Sequence, residues 1–205
     1  MDTRHRLIEA TIDLLESEGL AALSLRTIAR RAGMSHGAPL RHFPSYANLL
    51  AHVAAEGFLR LTASVDRALA RIGRQAPAHR QLATGLRSYA RFAAGNPGLL
   101  SLMFRWDWVD LNEPFLAKAS HDAFDRLVDI VKRGQQEGWQ RDVDPLLLAG
   151  ALWCAIQGIV SMWLLGAAQR PTGARRLEQL VDALIRAVLP PQRRAIARKN
   201  PPEGT

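Results

Sequence analysis

The chain has 205 residues, 48% of them hydrophobic, 22% charged and 6% aromatic, which gives an ordinary globular protein with room for one small and one larger domain. No apolar run is expected to reach the roughly 18 residues of a membrane span, and the polar opening from Met1 to Arg6 is unlike a secretory leader, so a cytoplasmic protein with no membrane partner is expected. With Cys154 as the only cysteine, an intramolecular disulfide is excluded and a small core residue is the expected role, while the net charge of +8 favours an anionic partner.

Helical periodicity runs through almost every strong segment and no stretch keeps the alternation of a strand, so the fold class is all-α, with about nine helices. The first begins near Asp2 or Thr3, places Leu7, Ile8, Thr11, Ile12, Leu14 and Leu15 on one face and ends at Gly19. A second follows Ser24 as N-cap, turns Leu25, Ile28, Ala29 and Ala32 inward and stops at Gly33. A third begins behind Ser35. Only Gly33 and Met34 intervene, which forces the steep crossing of a helix-turn-helix. Ser45 then caps a long fourth helix reaching about Arg71.

Ala76-Pro77, Asn96-Pro97, Glu113-Pro114, Asp144-Pro145 and Pro171-Thr172 start about five further helices. The helix from Pro145 to about Gly166 is apolar nearly all round and should be buried on two sides, with Ala151, Ala155, Gly158 and Met162 on one face and Trp153, Gln157, Val160 and Leu164 on the other. Residues 1–48 form the expected three-helix head and 49–189 the larger helical domain. The remainder, 190–205, reads as a disordered basic tail carrying Arg193, Arg194, Arg198 and Lys199 among prolines.

Positive charge concentrates on the helix-turn-helix: from Ser24 to Tyr46 stand Arg26, Arg30, Arg31 and Arg41 and no acid. A short basic helix of this kind fits a major groove, where its first residues meet base edges. Gly37, Ala38 and Pro39 keep the front of the third helix small, so that the backbone can approach closely and Ala38 is offered to a thymine methyl, while His36 is an exposed reader. The six-residue spacing of His36 and His42, without neighbouring carboxylates, is not that of a metal pair.

Residues 4–50, with Ile8 and Ala10, Gly19 and Leu20, Ser24-Leu25-Arg26-Thr27-Ile28-Ala29, Ala32-Gly33-Met34-Ser35, Gly37 and Arg41-His42-Phe43, resemble the signature of the TetR family of transcriptional regulators. Asn96-Pro97-Gly98-Leu99-Leu100-Ser101-Leu102-Met103-Phe104 and Trp153-x-x-x-Gln157-Gly158 are similar to the C-terminal regulatory domain named WHG for its Trp, His and Gly; Gln157 replaces the histidine and cannot titrate. The resemblance implies a homodimeric repressor that binds double-stranded operator DNA and is released by a small effector, the Pro145 helix and the one from Thr172 to Val188 pairing with their copies. It implies that Ser24, Arg26, Thr27, Ser35, His36, Gly37, Ala38, Leu40, Arg41, His42 and Tyr46 form the DNA-facing set. Within that set Arg26 reaches guanine or phosphate, Arg41 meets phosphate, and Ser24 and Ser35 cap helices whose N-termini face phosphates. His42 either meets phosphate or packs beside Phe43. Leu40 and Tyr46 stand where relatives have a tyrosine and a lysine, which removes one hydroxyl and one charge from the footprint, although Tyr46 can offer a hydroxyl from another position.

Aromatic and sulfur-bearing residues gather in the larger domain. Core packing accounts for any one of them, but together the five tryptophans can line a cavity for an apolar or aromatic effector. The expected lining is Tyr89, Met103, Phe104, Trp106, His121, Phe124, Trp153 and Gln157, with Tyr89, His121 and Gln157 as polar anchors. No Gly-rich phosphate loop, His-Glu-x-x-His or activated cysteine is present, so no enzyme, cofactor or metal is expected. Two rivals stay open: a DNA-binding protein whose aromatics are only core, and a helical ligand-binding protein or enzyme that has lost DNA binding, which Leu40 and Tyr46 keep in view.

Overall fold

The computed structural model describes residues 2–73 and 75–189, and all regular structure among them is helical. In chain order the helices are α1 (Thr3–Glu18), a single 3-10 turn (Leu20–Ala22), α2 (Leu25–Arg31), α3 (Ala38–His42), α4 (Tyr46–Ile72), α5 (Ala78–Gly95), α6 (Pro97–Met103), α7 (Pro114–Gln136), α8 (Pro145–Leu164), α9 (Gln169–Thr172) and α10 (Leu177–Val188). The expected tail, 190–205, lies outside the described residues. Local chemistry explains most starts. The Ser24 hydroxyl accepts from Thr27 N at 3.1 Å while the Thr27 hydroxyl accepts from Ser24 N at 2.9 Å, a reciprocal cap. Ser45 accepts from Asn48 N, Asp144 from Leu146 N and Leu147 N, and Pro97, Pro114 and Pro145 occupy first-turn positions whose N–H would be unpaired anyway.

Three expectations are corrected. Ser35 does not cap the third helix: the turn runs on through His36 and Gly37, Ser35 contributes only its carbonyl to Ala38 N at 2.9 Å, and α3 is a five-residue helix. The last helix starts at Leu177, not Thr172, because Gly173 takes a left-handed φ of 67° and ends α9; the Gln179 side chain then accepts from Arg175 N and Arg176 N to begin α10. Finally, α8 is a 20-residue uncharged helix long and apolar enough to cross a membrane by length and composition. Only one of its faces is buried within the chain, and Cys154 lies on the exposed face, not in the core.

One core runs the length of the molecule, from Leu7, Leu15, Ile28 and Phe43 through Leu50 and Phe58 to Leu102, Val131, Ile156 and Val181. Its spine is α4, which packs on α1, α3, α5, α6 and α7. The short α6 wedges between α1 and α4. At its N-terminus Glu16 of α1 accepts from Leu99 N at 2.8 Å and Gly98 N at 3.3 Å. A Cβ on Gly98 would lie 2.3 Å from the Leu15 carbonyl oxygen, so only glycine permits this approach. At the other end Met103 lies across Gly57 of α4, where a Cβ would meet its sulfur at 2.6 Å.

A second junction ties the head to α7. Arg4 Nη2 lies 2.9 Å from His52 Nε2, and because a guanidinium only donates, that nitrogen is the acceptor of a neutral imidazole. Arg4 also lies over the Phe43 ring at 4.7 Å, and His52 packs between Phe43 and Phe115 with ring centroids at 5.4 and 5.5 Å. Glu113, the N-cap of α7, accepts from Asn48 Nδ2 at 2.7 Å and stands 3.7 Å from His52 Nε2. Burial lowers the His52 pKa, opposed by Glu113 and assisted by Arg4.

Two outcomes follow from these junctions. Gly98→Ala forces backbone apart and should destabilise by about 2–3 kcal/mol, whereas Gly57→Ala displaces only a flexible Met103 side chain and should cost about 1 kcal/mol or less; urea midpoints read both, and equal losses would refute the distinction. Because His52 binds its proton less readily folded than unfolded, its contribution is present above the ordinary value of 6.5 and is lost as pH falls from there toward the folded value. His52→Gln should therefore shrink the stability loss between pH 7.5 and 5.5, and an undiminished loss would remove His52 as its source.

Candidate nucleic-acid interface and effector cavity

The interface begins with what α2 and α3 leave outside. Ile28, Ala29, Ala38 and Pro39 turn into the head, and Arg26, Arg30, His36, Gly37, Leu40 and Arg41 are exposed. Ser24 and Ser35 are exposed beside them, with Thr27 and His42 half-buried. Ala38 is only 9% exposed, so it packs inward and does not offer its methyl to a base. The Thr27 hydroxyl is consumed by Ser24 and by donation to the Ala22 carbonyl at 2.8 Å. The Tyr46 hydroxyl is buried and finds no hydrogen-bond partner, which raises its pKa and withholds it from a phosphate. Arg31 is tied to Glu18 at 2.6 Å, and Arg6 is spent on the Ala32 carbonyl at 2.9 Å, which holds α1 to the turn after α2. Among the described residues Arg26, Arg30 and Arg41 have no acidic partner, so the free positive charge of this face is three arginines, not the four counted along the sequence. Arg30 was outside the expected contact set; its position one turn beyond Arg26 on α2 is the signal that would have included it.

The cavity lies between α4, α5, α7 and α8 and encloses about 80 Å³. Phe58, Leu61, Thr62 and Val65 line it from α4, Leu82, Gly85, Leu86 and Tyr89 from α5, and Phe124, Leu127 and Ile130 from α7, with Trp153 and Ile156 from α8. Of the expected lining, Tyr89, Phe124 and Trp153 are on this wall. Gln157 sits behind it, accepting from the Tyr89 hydroxyl and donating to Ser161 Oγ at 3.2 Å. Burial raises the Tyr89 pKa, so the phenol stays protonated. Met103 packs on Gly57 instead of facing the cavity, Trp106 is 47% exposed in the segment after α6, and His121 is exposed with Nδ1 on the Ala117 carbonyl of its own helix. Phe104 does not line the space but bridges to it: Phe58, Phe104, Trp153 and Phe124 form a row with centroid separations of 6.0, 6.2 and 5.2 Å. The aliphatic lining from α4, α5 and α7 escaped the sequence reading because an aliphatic wall has the same pattern as an aliphatic core.

Near the cavity mouth Arg126 pairs with Asp66 at 2.8 Å, an exposed pair of small energetic weight. Walls of this composition accept apolar groups and reject unpaired charge. The row from Phe124 to Phe104 joins the cavity to the end of α6, and the beginning of α6 abuts α1, so one short helix stands between the cavity and the helix that supports the α2–α3 face.

Comparison with known proteins assigns both halves of the chain. Residues 7–53 match the model for bacterial regulatory proteins of the tetR family, and residues 82–188 match the model for the tetracyclin repressor-like C-terminal domain. The HTH-type transcriptional repressor KstR of Mycolicibacterium smegmatis is 34% identical over 67 residues, 33% of each chain, so the match spans about a third of that relative's length. Among solved structures, a protein of unknown function from Rhodococcus sp. RHA1 aligns with TM-score 0.78 and 29% identity over 92% of this chain and 94% of that one. FadR from Bacillus subtilis in complex with stearoyl-CoA aligns with TM-score 0.71 over 90% and 96% of the two chains, and at 18% identity that likeness shows the fold alone. With family models covering the head and more than half of the chain beyond it, this protein belongs to the TetR family of bacterial regulatory proteins.

Proposed function

We propose that the protein is a homodimeric transcriptional repressor that binds double-stranded operator DNA through residues 1–48 and is released when an apolar effector enters the cavity of residues 49–189. The observation that carries this reading is the exposed, acid-free α2–α3 face with three unpaired arginines, joined by one continuous core to a separate apolar cavity. Arg41 and Arg30 serve phosphates; Arg26 and His36 reach bases. The neighbouring FadR holds an acyl coenzyme A, and an acyl chain is one apolar group that this cavity would accept. Effector binding works through differential affinity for the DNA-competent and DNA-incompetent arrangements. Such a protein acts in the cytoplasm, where its operator is.

The exposed face of α8 supports the dimer. Leu147, Met162 and Leu165 are 72%, 48% and 78% exposed, and Ala151, Cys154 and Gly158 lie between them on the same face with open space around Gly158. Small residues allow two such helices to approach closely, and α10 extends the surface beside them. A two-fold partner covers this apolar strip with its own copy; a bilayer is a poorer fit, because the opposite face of α8 is already packed on α5, α7 and α10.

Binding of an operator fragment across a salt series tests the DNA reading. Arg41→Ala should weaken operator and random duplex alike and lower the salt slope by about one unit per subunit, whereas His36→Ala or Arg26→Ala should cost roughly 1–3 kcal/mol on the operator and relax preference at one position of each half-site of a near-palindrome. Unchanged slope and unchanged preference together would place the reading surface elsewhere. Light scattering at micromolar concentration should give twice the chain mass, and Gly158→Arg should give a folded monomer; a monomeric parent protein would overturn the dimer.

A further inference from the structure

The cavity is too small for most ligands. Its 80 Å³ falls well below the roughly 300–1,000 Å³ of typical ligand sites. A second chamber of about 270 Å³ lies beyond it toward the start of α5 and the end of α7. Leu82 of α5 and Ile130 of α7 border both spaces, so these two aliphatic side chains stand where the spaces meet. Together the two spaces reach the lower end of the usual range.

The chambers differ in chemistry. The inner one is mostly apolar and carries two hydroxyls, those of Thr62 and Tyr89, the second already received by Gln157. The outer one is bordered by His79, Glu137, Trp139 and Gln140. Both Glu137 carboxylate oxygens take the Ala78 N–H, at 3.0 and 2.9 Å, and each keeps a lone pair for another donor. Trp139 packs on Gly134 and donates its indole N–H to the Val188 carbonyl at the end of α10, 3.0 Å away. An occupant of the outer chamber therefore touches a side chain that holds one of the helices beside the exposed α8 strip.

We propose that the two chambers are one effector site parted by Leu82 and Ile130, and that its ligand class is a linear amphiphile with an apolar body running into the inner chamber and a hydrogen-bond-donating head, such as a hydroxyl, at Glu137. This rests on the reading of the apolar cavity as the effector site and extends it by length, direction and head group. A carboxylate head is disfavoured by the Glu137 charge, and a head without a donor leaves that carboxylate no new partner. Opening the partition needs only rotamer changes at two side chains.

Calorimetry of the full chain with 1-alkanols from butanol to decanol tests it. Affinity should rise by about fourfold per methylene through 1-decanol, well past the length that fills the inner chamber. At matched length 1-octanol should bind at least about threefold more tightly than 1-methoxyheptane, which lacks the donor. Ile130→Phe, which thickens the partition, should flatten the gain per methylene beyond the shortest alcohols, and an unchanged far-ultraviolet circular dichroism spectrum with a cooperative melt shows that the variant is folded. A plateau beyond the shortest alcohols, with Ile130→Phe without effect, would overturn the two-chamber site and leave the inner cavity as the effector site. If no alcohol bound the protein or released it from operator DNA, the site and the effector reading beneath it would both fall.

Discussion

The approach of Gly98 to the Leu15 carbonyl sets the rest of the structure. Helices in contact are ordinarily held 8–10 Å apart by their side chains, but here the first turn of α6 meets α1 through backbone, with Glu16 reaching across to accept the first amides of α6. Such a contact has no soft layer to absorb movement. Displacing α6 must either break the Glu16 cap or carry α1 along, and α1 holds the turn after α2 through Arg6 and the Ala32 carbonyl. The position of the α2–α3 face is therefore tied to a helix that belongs, by its other end, to the aromatic row at the cavity.

Much of this fold was legible because its determinants are local. Ser24, Ser45 and Asp144 announce helix starts, prolines 97, 114 and 145 fix first turns, and the wide apolar stripe of α1 is plain. The errors occur where two local signals compete or where the decisive partner is distant. Ser35 carries the side chain of an N-cap, yet Pro39, which has no N–H to give the Ser35 carbonyl, fits a first turn, and α3 begins at Ala38. Pro171 looks like a start, yet Gly173 stops that helix within one turn. Cys154 was read as buried because cysteine usually is, but exposure on α8 depends on which face α5, α7 and α10 happen to cover.

The candidate sites were legible to different degrees for the same reason. A DNA-facing surface advertises itself by charge, and the run without acids from Ser24 to Tyr46 marks the candidate; only Glu18, outside that run in sequence but paired in space, removes Arg31 from the count. The Tyr46 hydroxyl was expected outside and lies inside, because the ring packs against the core of the head. A cavity has no such marker. Tryptophans drew attention to Trp153 but equally to Trp106, and nothing along the chain separates a residue that lines a space from one that fills it.

The small inner cavity also bears on how a signal leaves it. A ligand shifts the balance between two arrangements only through its differential affinity for them. Volume beyond what the rotamers of Leu82 and Ile130 release has to come from shifts of whole elements, because close-packed interiors do not compress. Of the four helices around the space, α8 is placed beside the proposed dimer partner and α5 is pinned at its start by Glu137. The remaining two, α4 and α7, meet again at the Asn48–Glu113–His52–Arg4 junction beneath the head. An effector that separated them at the cavity would pivot them at that junction, and the expansion would be read at the other end as a change in how α1 and α3 sit on α4.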